Sequence, residues 1–411
     1  MRSVSKILSL INEQECIDFL AKMVQHKSYT ETAGERKLAE FMCEQMQELG
    51  IEAELQTVVG ERRNAIGRYV GTESGTSLLF NGHLDTNPVT EGWTEDPWGG
   101  TIKNDCIYGI GVSNMKAGDA AFFSAVKTMI DAGVRPKGDV ILTFVVGELQ
   151  GGIGTVRAIE QGVKADYFIN CEPTDLTALS LHAGAFNFII ELEGETRHIS
   201  KREQAVDAVA ISAVLIPRLN AMTFSGAKGD DHLSINRANV GTVRGALSRE
   251  FHDWRPPQIS DFVRLTGTAR YAPSQSKKTV LNDIRAVLSE LENEHPGLKA
   301  NVCYEHEGTD MPSMGPFEVA KNSRIVKSLN TAYKNLRGED QQTGPIRPQA
   351  FYRTDAAHFY NRCQMEGIVC GPGGKFNTMP DERVELVDYL DAVRLYLAVI
   401  LDICGYEDEA P

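Results

Sequence analysis

Short apolar segments bounded by turn residues alternate with segments of helical periodicity over the first 150 residues. Three segments are short and apolar, as is typical of strands in a largely buried sheet: NAIGRYVG, SLLFNGHLD and DVILTFVVG. INEQECIDFLAKMVQ, GERKLAEFMCEQMQELG and MKAGDAAFFSAVKTMIDAG carry apolar residues at helical spacing, and the second of them ends at Gly50, a suitable helix cap. This alternation predicts an α/β fold with functional residues at the carboxyl ends of its strands.

The pattern changes after about residue 182. The segments from AFNFIIELEGE to KKTVLNDIRAVLSELENEH predict a strand, a helix, further strands and a second helix, which together form a compact α+β insertion. After residue 298 the helix-rich remainder indicates that the first domain resumes. We therefore predict a catalytic domain in two parts, 1–182 and 299–411, with an inserted domain at 183–298. A chain of 411 residues is long enough for two such domains.

Composition excludes several classes of partner. The net charge of -14 argues against binding to a phosphate backbone, which needs clustered Lys and Arg. No stretch approaches the 18 apolar residues of a membrane span. The eight cysteines are scattered without a CxxC motif, which is typical of a reduced protein. We therefore expect a cytoplasmic protein with neither a nucleic-acid nor a membrane partner.

Two strand ends carry candidate catalytic or metal-binding residues. In NGHLDTNP, His83 and Asp85 lie two residues apart on a strand end and point to the same face, so Asp85 can accept the Nδ1 proton while the other nitrogen binds a metal. A His-x-Asp pair is also common as a structural hydrogen bond. In GELQGGIGT, Glu148 follows a buried strand, and it could be a catalytic acid/base, a metal ligand or a loop residue.

Further segments resolve these alternatives. Five more motifs follow along the chain: GIGVSNMKAG, NCEPTDL, GETRHIS, YRTDAAHF and GPGGKFNTMPDERV. Their order and spacing resemble those of a metallopeptidase family. This family includes aminoacylase, acetylornithine deacetylase, succinyl-diaminopimelate desuccinylase and glutamate carboxypeptidase. The resemblance extends over nearly the whole chain. It implies a zinc-peptidase-like catalytic domain, with a mixed sheet flanked by helices, and an inserted α+β lid domain through which the chain forms a homodimer.

The resemblance also implies roles for individual residues. His83 and Glu172 match the ligands of one metal, and Glu148 matches the general base, which takes a proton from a metal-activated water and returns it to the leaving nitrogen. Asp85, next to the ligand His83 in the same motif, is predicted as a further catalytic residue. His198 in the lid matches a histidine that reaches the partner subunit's active site to stabilise negative charge. Without the resemblance, a surface histidine would be the simpler interpretation.

Three positions depart from the family pattern. Asn114 stands where an aspartate bridges two metals, Leu149 replaces a glutamate ligand and Asn377 replaces a histidine ligand. These changes remove two negative charges and an imidazole, so two divalent ions held close together would repel each other strongly. We therefore predict one divalent metal ion per chain, Zn or Mn, bound by His83, Glu172 and the side-chain oxygen of Asn114. The alternative is an inactive homologue that only binds ligands.

The substrate is less constrained. Arg353, in FYRTDAAHF, could pair bidentately with a substrate carboxylate. Asn236 and Arg244 match a lid segment that contacts substrate, and Asn377 is a further candidate. We predict a hydrolase that cleaves the C–N bond of a small carboxylate-bearing substrate such as an N-acyl amino acid. The alternative reaction is removal of the amino group from an aromatic amino acid such as a nitroanthranilate.

Overall fold

The computed structural model describes residues 2–252, 257–305 and 312–408. The chain forms two compact units. The large unit comprises residues 1–181, 318–349 and 354–411, and the inserted unit comprises 182–317 and 350–353. The inserted unit thus extends beyond the predicted boundary at residue 298.

The helices and strands are numbered in chain order. The helices are α1 (Val4–Leu8), α2 (Glu13–Gln25), α3 (Ala33–Glu48), α4 (Ala117–Asp131), α5 (Ile153–Glu160), α6 (Ala208–Asn220), α7 (Gly229–Ser234), α8 (Lys277–Glu294), α9 (Arg324–Arg337), α10 (Ala356–Cys363) and α11 (Leu386–Ile403). The strands are β1 (Glu52–Thr57), β2 (Arg63–Tyr69), β3 (Leu78–His83), β4 (Thr101–Lys103), β5 (Cys106–Tyr108), β6 (Val134–Pro136), β7 (Val140–Val145), β8 (Tyr167–Asn170), β9 (Ala178–Leu179), β10 (Leu181–His182), β11 (Gly184–Glu193), β12 (Arg237–Ala246), β13 (Phe262–Tyr271), β14 (Lys299–Tyr304), β15 (Phe317–Glu318), β16 (Thr343–Gly344), β17 (Glu366–Val369), β18 (Arg383–Glu385) and β19 (Tyr406–Asp408).

The large unit is built on a mixed sheet with the strand order β1-β2-β7-β3-β8-β17-β9-β16. Its central neighbours β7, β3, β8 and β17 are parallel, and β1 and β2 are antiparallel additions at one side. Every residue of β3 and β7 is buried, which agrees with the apolar start of β3 and the largely apolar sequence of β7. The parallel centre brings four carboxyl strand ends to one edge of the sheet, and the mixed sheet confirms the predicted fold class.

Two long helices cover the central strands. Almost all of α4 is buried, and it contacts β3, β7 and α11. The ring of Phe122 on α4 stacks against Phe80 of β3, with 5.6 Å between ring centroids, and Tyr396 of α11 lies 5.3 Å from the same Phe80 ring. These aromatic contacts fix the sheet against the helices, so the strand ends are held rigidly.

The inserted unit has an antiparallel sheet with the order β12-β13-β11-β14. Helices α6 and α8 pack on this sheet, and the core includes Phe188, Leu215, Leu265 and Ile284, all fully buried. Strand β14 pairs with β11 along its whole length. Residues 299–304, which the sequence assigned to the returning catalytic domain, therefore belong to the inserted unit; a single short strand carries no pattern that reveals its sheet.

Within the described residues, no helix combines the length and the apolar character needed to cross a membrane.

Candidate active site

The candidate site lies at the carboxyl ends of three neighbouring parallel strands. His83 is the last residue of β3, Glu148 lies in the turn that follows β7, and Glu172 comes two residues after β8. Strands β7 and β8 flank β3 on its two sides. The three side chains therefore converge because their strands are adjacent and parallel.

The geometry of these side chains fits a metal ion. One ligand atom from each of His83, Glu148 and Glu172 lies within 4.8 Å of the others. His83 Nε2 lies 3.6 Å from Glu172 Oε1 and 3.1 Å from Asn114 Oδ1. One imidazole nitrogen with carboxylate and amide oxygens is a donor set that Zn²⁺ or Mn²⁺ accepts. The predicted trio of His83, Glu172 and Asn114 is thus brought together, with Glu148 beside it.

The His83 ring is oriented differently from the expectation. Its Nδ1 lies 2.8 Å from the backbone oxygen of Asp85, whereas the Asp85 carboxylate is 3.6 Å away. A hydrogen on Nδ1 is thus donated to the backbone carbonyl, and Nε2 is directed at Asn114 and Glu172. The His-x-Asp motif still orients the imidazole, but through the main chain.

The Asp85 carboxylate instead holds the turn that carries Glu148. It accepts hydrogen bonds from the backbone N–H groups of Gly147 (2.9 Å), Glu148 (3.2 Å) and Leu149 (3.2 Å). Gly147 and Gly151, which flank this 3₁₀ turn, have positive φ angles of 76° and 80°, which glycine adopts without strain. Asp85, predicted as catalytic, is therefore a positioning residue that fixes the backbone of Glu148.

The site holds more buried carboxylates than cationic groups. Burial raises the pKa of Glu172, and the nearby Glu148 and Asp355 raise it further against the opposing effect of His83. Burial and Glu148 likewise raise the pKa of Asp355, which accepts a hydrogen bond from Thr155 Oγ1 at 2.8 Å. Such a cluster is stabilised by a bound cation, so the electrostatics agree with the donor set.

Glu382 fixes the position of Asn114. The buried carboxylate accepts hydrogen bonds from the backbone N–H groups of Gly111 (3.2 Å), Ser113 (2.8 Å) and Asn114 (3.0 Å). These amides lie where the chain turns through Val112–Lys116 into α4. The turn presents the Asn114 side chain to His83. Asn377, another predicted residue, lies half-buried in the turn before Glu382.

The remaining predicted residues belong to the inserted unit. His198 is exposed at the start of a 3₁₀ segment, where its Nδ1 lies 3.0 Å from Ser200 Oγ. Arg244 is exposed and stacks on the ring of Phe251 at 4.0 Å. Asn236 uses its whole amide inside the unit: its oxygen accepts from Phe224 and Gln275, and its nitrogen donates to Gln275 and His232. This network holds the Asn236 side chain in place within the inserted unit, and its contact with substrate stays a prediction.

Arg353 is accompanied by two arginines that the sequence did not single out. Arg270 on β13 lies directly opposite Arg237 on β12, and Arg237 stacks at 3.7 Å on the ring of Phe351. Burial, together with the charges of Arg353 and Arg237, lowers the pKa of Arg270 to about 10. None of the three guanidinium groups has a carboxylate partner within the part of the chain that the structure describes. Like charges opposite each other are unfavourable, so this arginine cluster favours an anionic ligand.

Comparison with known proteins identifies the family. The chain belongs to Peptidase family M20/M25/M40, whose model matches residues 79–402. It is 26% identical over 395 residues to an N-formyl-4-amino-5-aminomethyl-2-methylpyrimidine deformylase of Bacillus subtilis, covering 89% of this chain and 88% of the relative. It is 26% identical over 366 residues to an acetylornithine deacetylase of Aliivibrio fischeri, covering 87% and 89%. The structure of YXEP from Bacillus subtilis, a dinuclear metal-binding peptidase of the M20 family, has a TM-score of 0.68 at 15% identity and covers 95% of this chain and 98% of that one.

These findings confirm the predicted family, fold class and enzyme class. The protein is a metal-dependent hydrolase of carbon–nitrogen bonds. Within this family, YXEP is a dinuclear metal-binding peptidase.

Proposed function

We propose that this protein hydrolyses the amide bond of a small N-acylated substrate that carries a carboxylate, at a site that holds one divalent ion. The observation that supports this most directly is the convergence of His83, Glu148 and Glu172 within 4.8 Å. Hydrolysis of an unactivated amide needs a base for the attacking water and an acid for the leaving nitrogen. One carboxylate can serve in both roles.

In the proposed reaction His83, Glu172 and Asn114 hold the ion. When bound, a divalent ion makes water more acidic and polarises a carbonyl oxygen. Glu148 accepts the proton of the attacking water and then delivers it to the departing nitrogen. The three backbone hydrogen bonds to Asp85 keep the Glu148 turn in place during both transfers. Asp85 thereby acts on Glu148 through the main chain.

A single ion is supported by the residues at the second metal's positions. Leu149 has no donor atom, and its backbone is already fixed to Asp85. Asn114 and Asn377 are neutral. The relative YXEP binds two metals, and we propose that this chain has lost the second of them.

We propose that Arg353 and Arg270, in the arginine cluster of the inserted unit, bind a carboxylate, since guanidinium groups pair bidentately with carboxylates. The deformylase and deacetylase names of the relatives favour a short acyl group on the cleaved amide.

We further propose that two chains associate through β12 and α6. Strand β12 is the edge of its sheet, and an edge strand readily pairs with a second copy. The side chains of Val243 on β12 and of Val209 and Val214 on α6 are between 43% and 49% exposed. His198 would then act in the partner subunit's site, as the family resemblance implies.

The test is hydrolysis by the protein loaded with Zn²⁺ or Mn²⁺, measured on N-formyl, N-acetyl and N-succinyl amino acids. Glu148→Gln should lower kcat by about 10²- to 10⁴-fold, which is the usual contribution of a general base. Glu160→Gln, which makes the same exchange on the exposed face of α5, is the matched control. Unchanged turnover of Glu148→Gln would contradict the mechanism, and release of ammonia from aminoaromatic acids in place of amide hydrolysis would contradict the reaction.

A further inference from the structure

A cavity of about 260 Å³ lies in the large unit beside Asn114 and is lined at its base by Ile110, Gly111 and Glu382. Asn114 Oδ1 is 3.1 Å from His83 Nε2. The cavity therefore borders directly on the proposed reaction centre, and a substrate whose amide lies beside His83 would extend part of its structure into this space.

One part of the cavity wall is apolar. Trp93 and Pro88 come from the loop after β3, Met379 comes from the turn before β18, and Ile110 precedes the turn into α4. Trp93 is half-buried and Ile110 is almost fully buried. An indole, a thioether and aliphatic groups in one lining favour a flat, polarisable occupant, because aromatic rings stack on one another and make favourable contacts with sulfur.

The rest of the wall is polar but uncharged, apart from one carboxylate. Asn87, Thr90 and Thr378 supply neutral donors and acceptors. Glu382 is the one ionisable side chain among the cavity's described lining residues, and its oxygens already accept three backbone N–H groups. The negative charge disfavours an anion, while no cationic residue lines the cavity within the described part of the chain. An uncharged group therefore fits best.

From this combination, and given the proposed amide hydrolysis, we propose that the cavity binds a single uncharged aromatic ring on the substrate, with Trp93 and Met379 as specificity-determining residues. The volume agrees with this occupant. A cavity of about 150 Å³ is enough for benzene, so about 260 Å³ accepts one ring with short substituents. Four apolar side chains line the cavity beside five polar ones, and ligand sites usually combine apolar walls with placed polar groups.

Binding of benzamide to the metal-free protein tests this proposal without any catalysis. Calorimetry should show benzamide binding at least about tenfold more tightly than acetamide, a difference of about 1.4 kcal/mol. Benzamide binding should also change the fluorescence of the Trp93 indole. Trp93→Phe should keep most of the affinity but abolish this change, although Trp98 and Trp254 still fluoresce. Trp93→Ala should weaken binding by about 2- to 12-fold, which is the range for loss of an aromatic pair.

Thr90→Phe places a ring in the cavity and should weaken benzamide binding by at least about tenfold. Val89→Phe adds the same ring at the neighbouring exposed position, which does not line the cavity, and should bind benzamide as the wild type does. Equal affinity of Thr90→Phe and wild type, or tighter binding of acetamide than of benzamide, would overturn the inference. Failure of the metal-loaded protein to hydrolyse any N-acyl amino acid, with these binding results intact, would instead overturn the proposed reaction.

Discussion

Mild acid should destabilise the inserted unit through the buried residue His182. This side chain is fully buried, its ring lies 5.3 Å from that of Phe317, and its Nδ1 is 3.1 Å from the backbone oxygen of Ala183. Burial lowers its pKa from 6.5 to about 4, and the charge of Arg270 acts in the same direction. The folded unit therefore holds His182 in its neutral form.

The size of the effect follows from the two pKa values. As the pH falls below 6.5, the unfolded chain gains a proton on His182 that the folded unit does not accept until about pH 4, so stability is lost across this window. Between pH 7.5 and pH 5.0 the loss is about 2 kcal/mol, and below pH 4 it reaches a limit of about 3.4 kcal/mol, at 1.36 kcal/mol for each pKa unit.

Hydrogen exchange measured by mass spectrometry can isolate this effect. The opening free energy of amides in β11 and β13, corrected for intrinsic exchange, should fall by about 2 kcal/mol more in the wild type than in His182→Gln between pH 7.5 and pH 5.0. His252→Gln, at an exposed position of the same unit, is the control and should behave as the wild type. If His182→Gln keeps the full pH dependence, the reasoning is wrong.

Three further predictions concern the site and the assembly. Elemental analysis should find about one divalent ion per chain in the wild type and two in the triple variant Asn114→Asp, Leu149→Glu and Asn377→His; one ion in both would contradict the account of the lost second site. Arg353→Ala should raise KM for a carboxylate-bearing amide at least about tenfold in steady-state kinetics, because charged hydrogen bonds contribute about 1.5–3 kcal/mol, and leave KM for the corresponding methyl ester nearly unchanged. Val209→Asp should shift the protein from dimer to monomer in sedimentation experiments, and a monomeric wild type would refute that interface.

The central part of the fold was predictable because its strands are buried on both faces. The sequence of β7 is apolar except for Thr143, and β3 begins with the apolar residues Leu78, Leu79 and Phe80. Parallel neighbours place their carboxyl ends together, so the convergence of His83, Glu148 and Glu172 followed from the positions of the strands. The resemblance to known enzymes then supplied a role for each residue.

Other features depend on contacts that no local pattern encodes. Arg270 faces Arg237 because of the register between β12 and β13, which spacing along the chain does not reveal. Asp355 stands in the same YRTDAAHF segment as Arg353, but only its burial beside Glu148 marks it as part of the carboxylate cluster. Similarly, the Asp85 carboxylate accepts hydrogen bonds from backbone amides after β7. The two-residue spacing of His83 and Asp85 cannot distinguish this arrangement from a hydrogen bond between the two side chains.

The charges around His83 connect the altered residues to the proposed single ion. Glu148, Glu172 and Asp355 already place three carboxylates near one imidazole, and burial makes each additional charge costly. Asp119 on α4 adds a fourth buried carboxyl group, and neither of its oxygens has a hydrogen-bond partner within the described residues. Acids at positions 114 and 149 would increase this repulsion unless a second cation offset it. Asn114 and Leu149 keep the repulsion at a level that one divalent ion can balance, so the two substitutions are mutually consistent and support retention of a single functional metal.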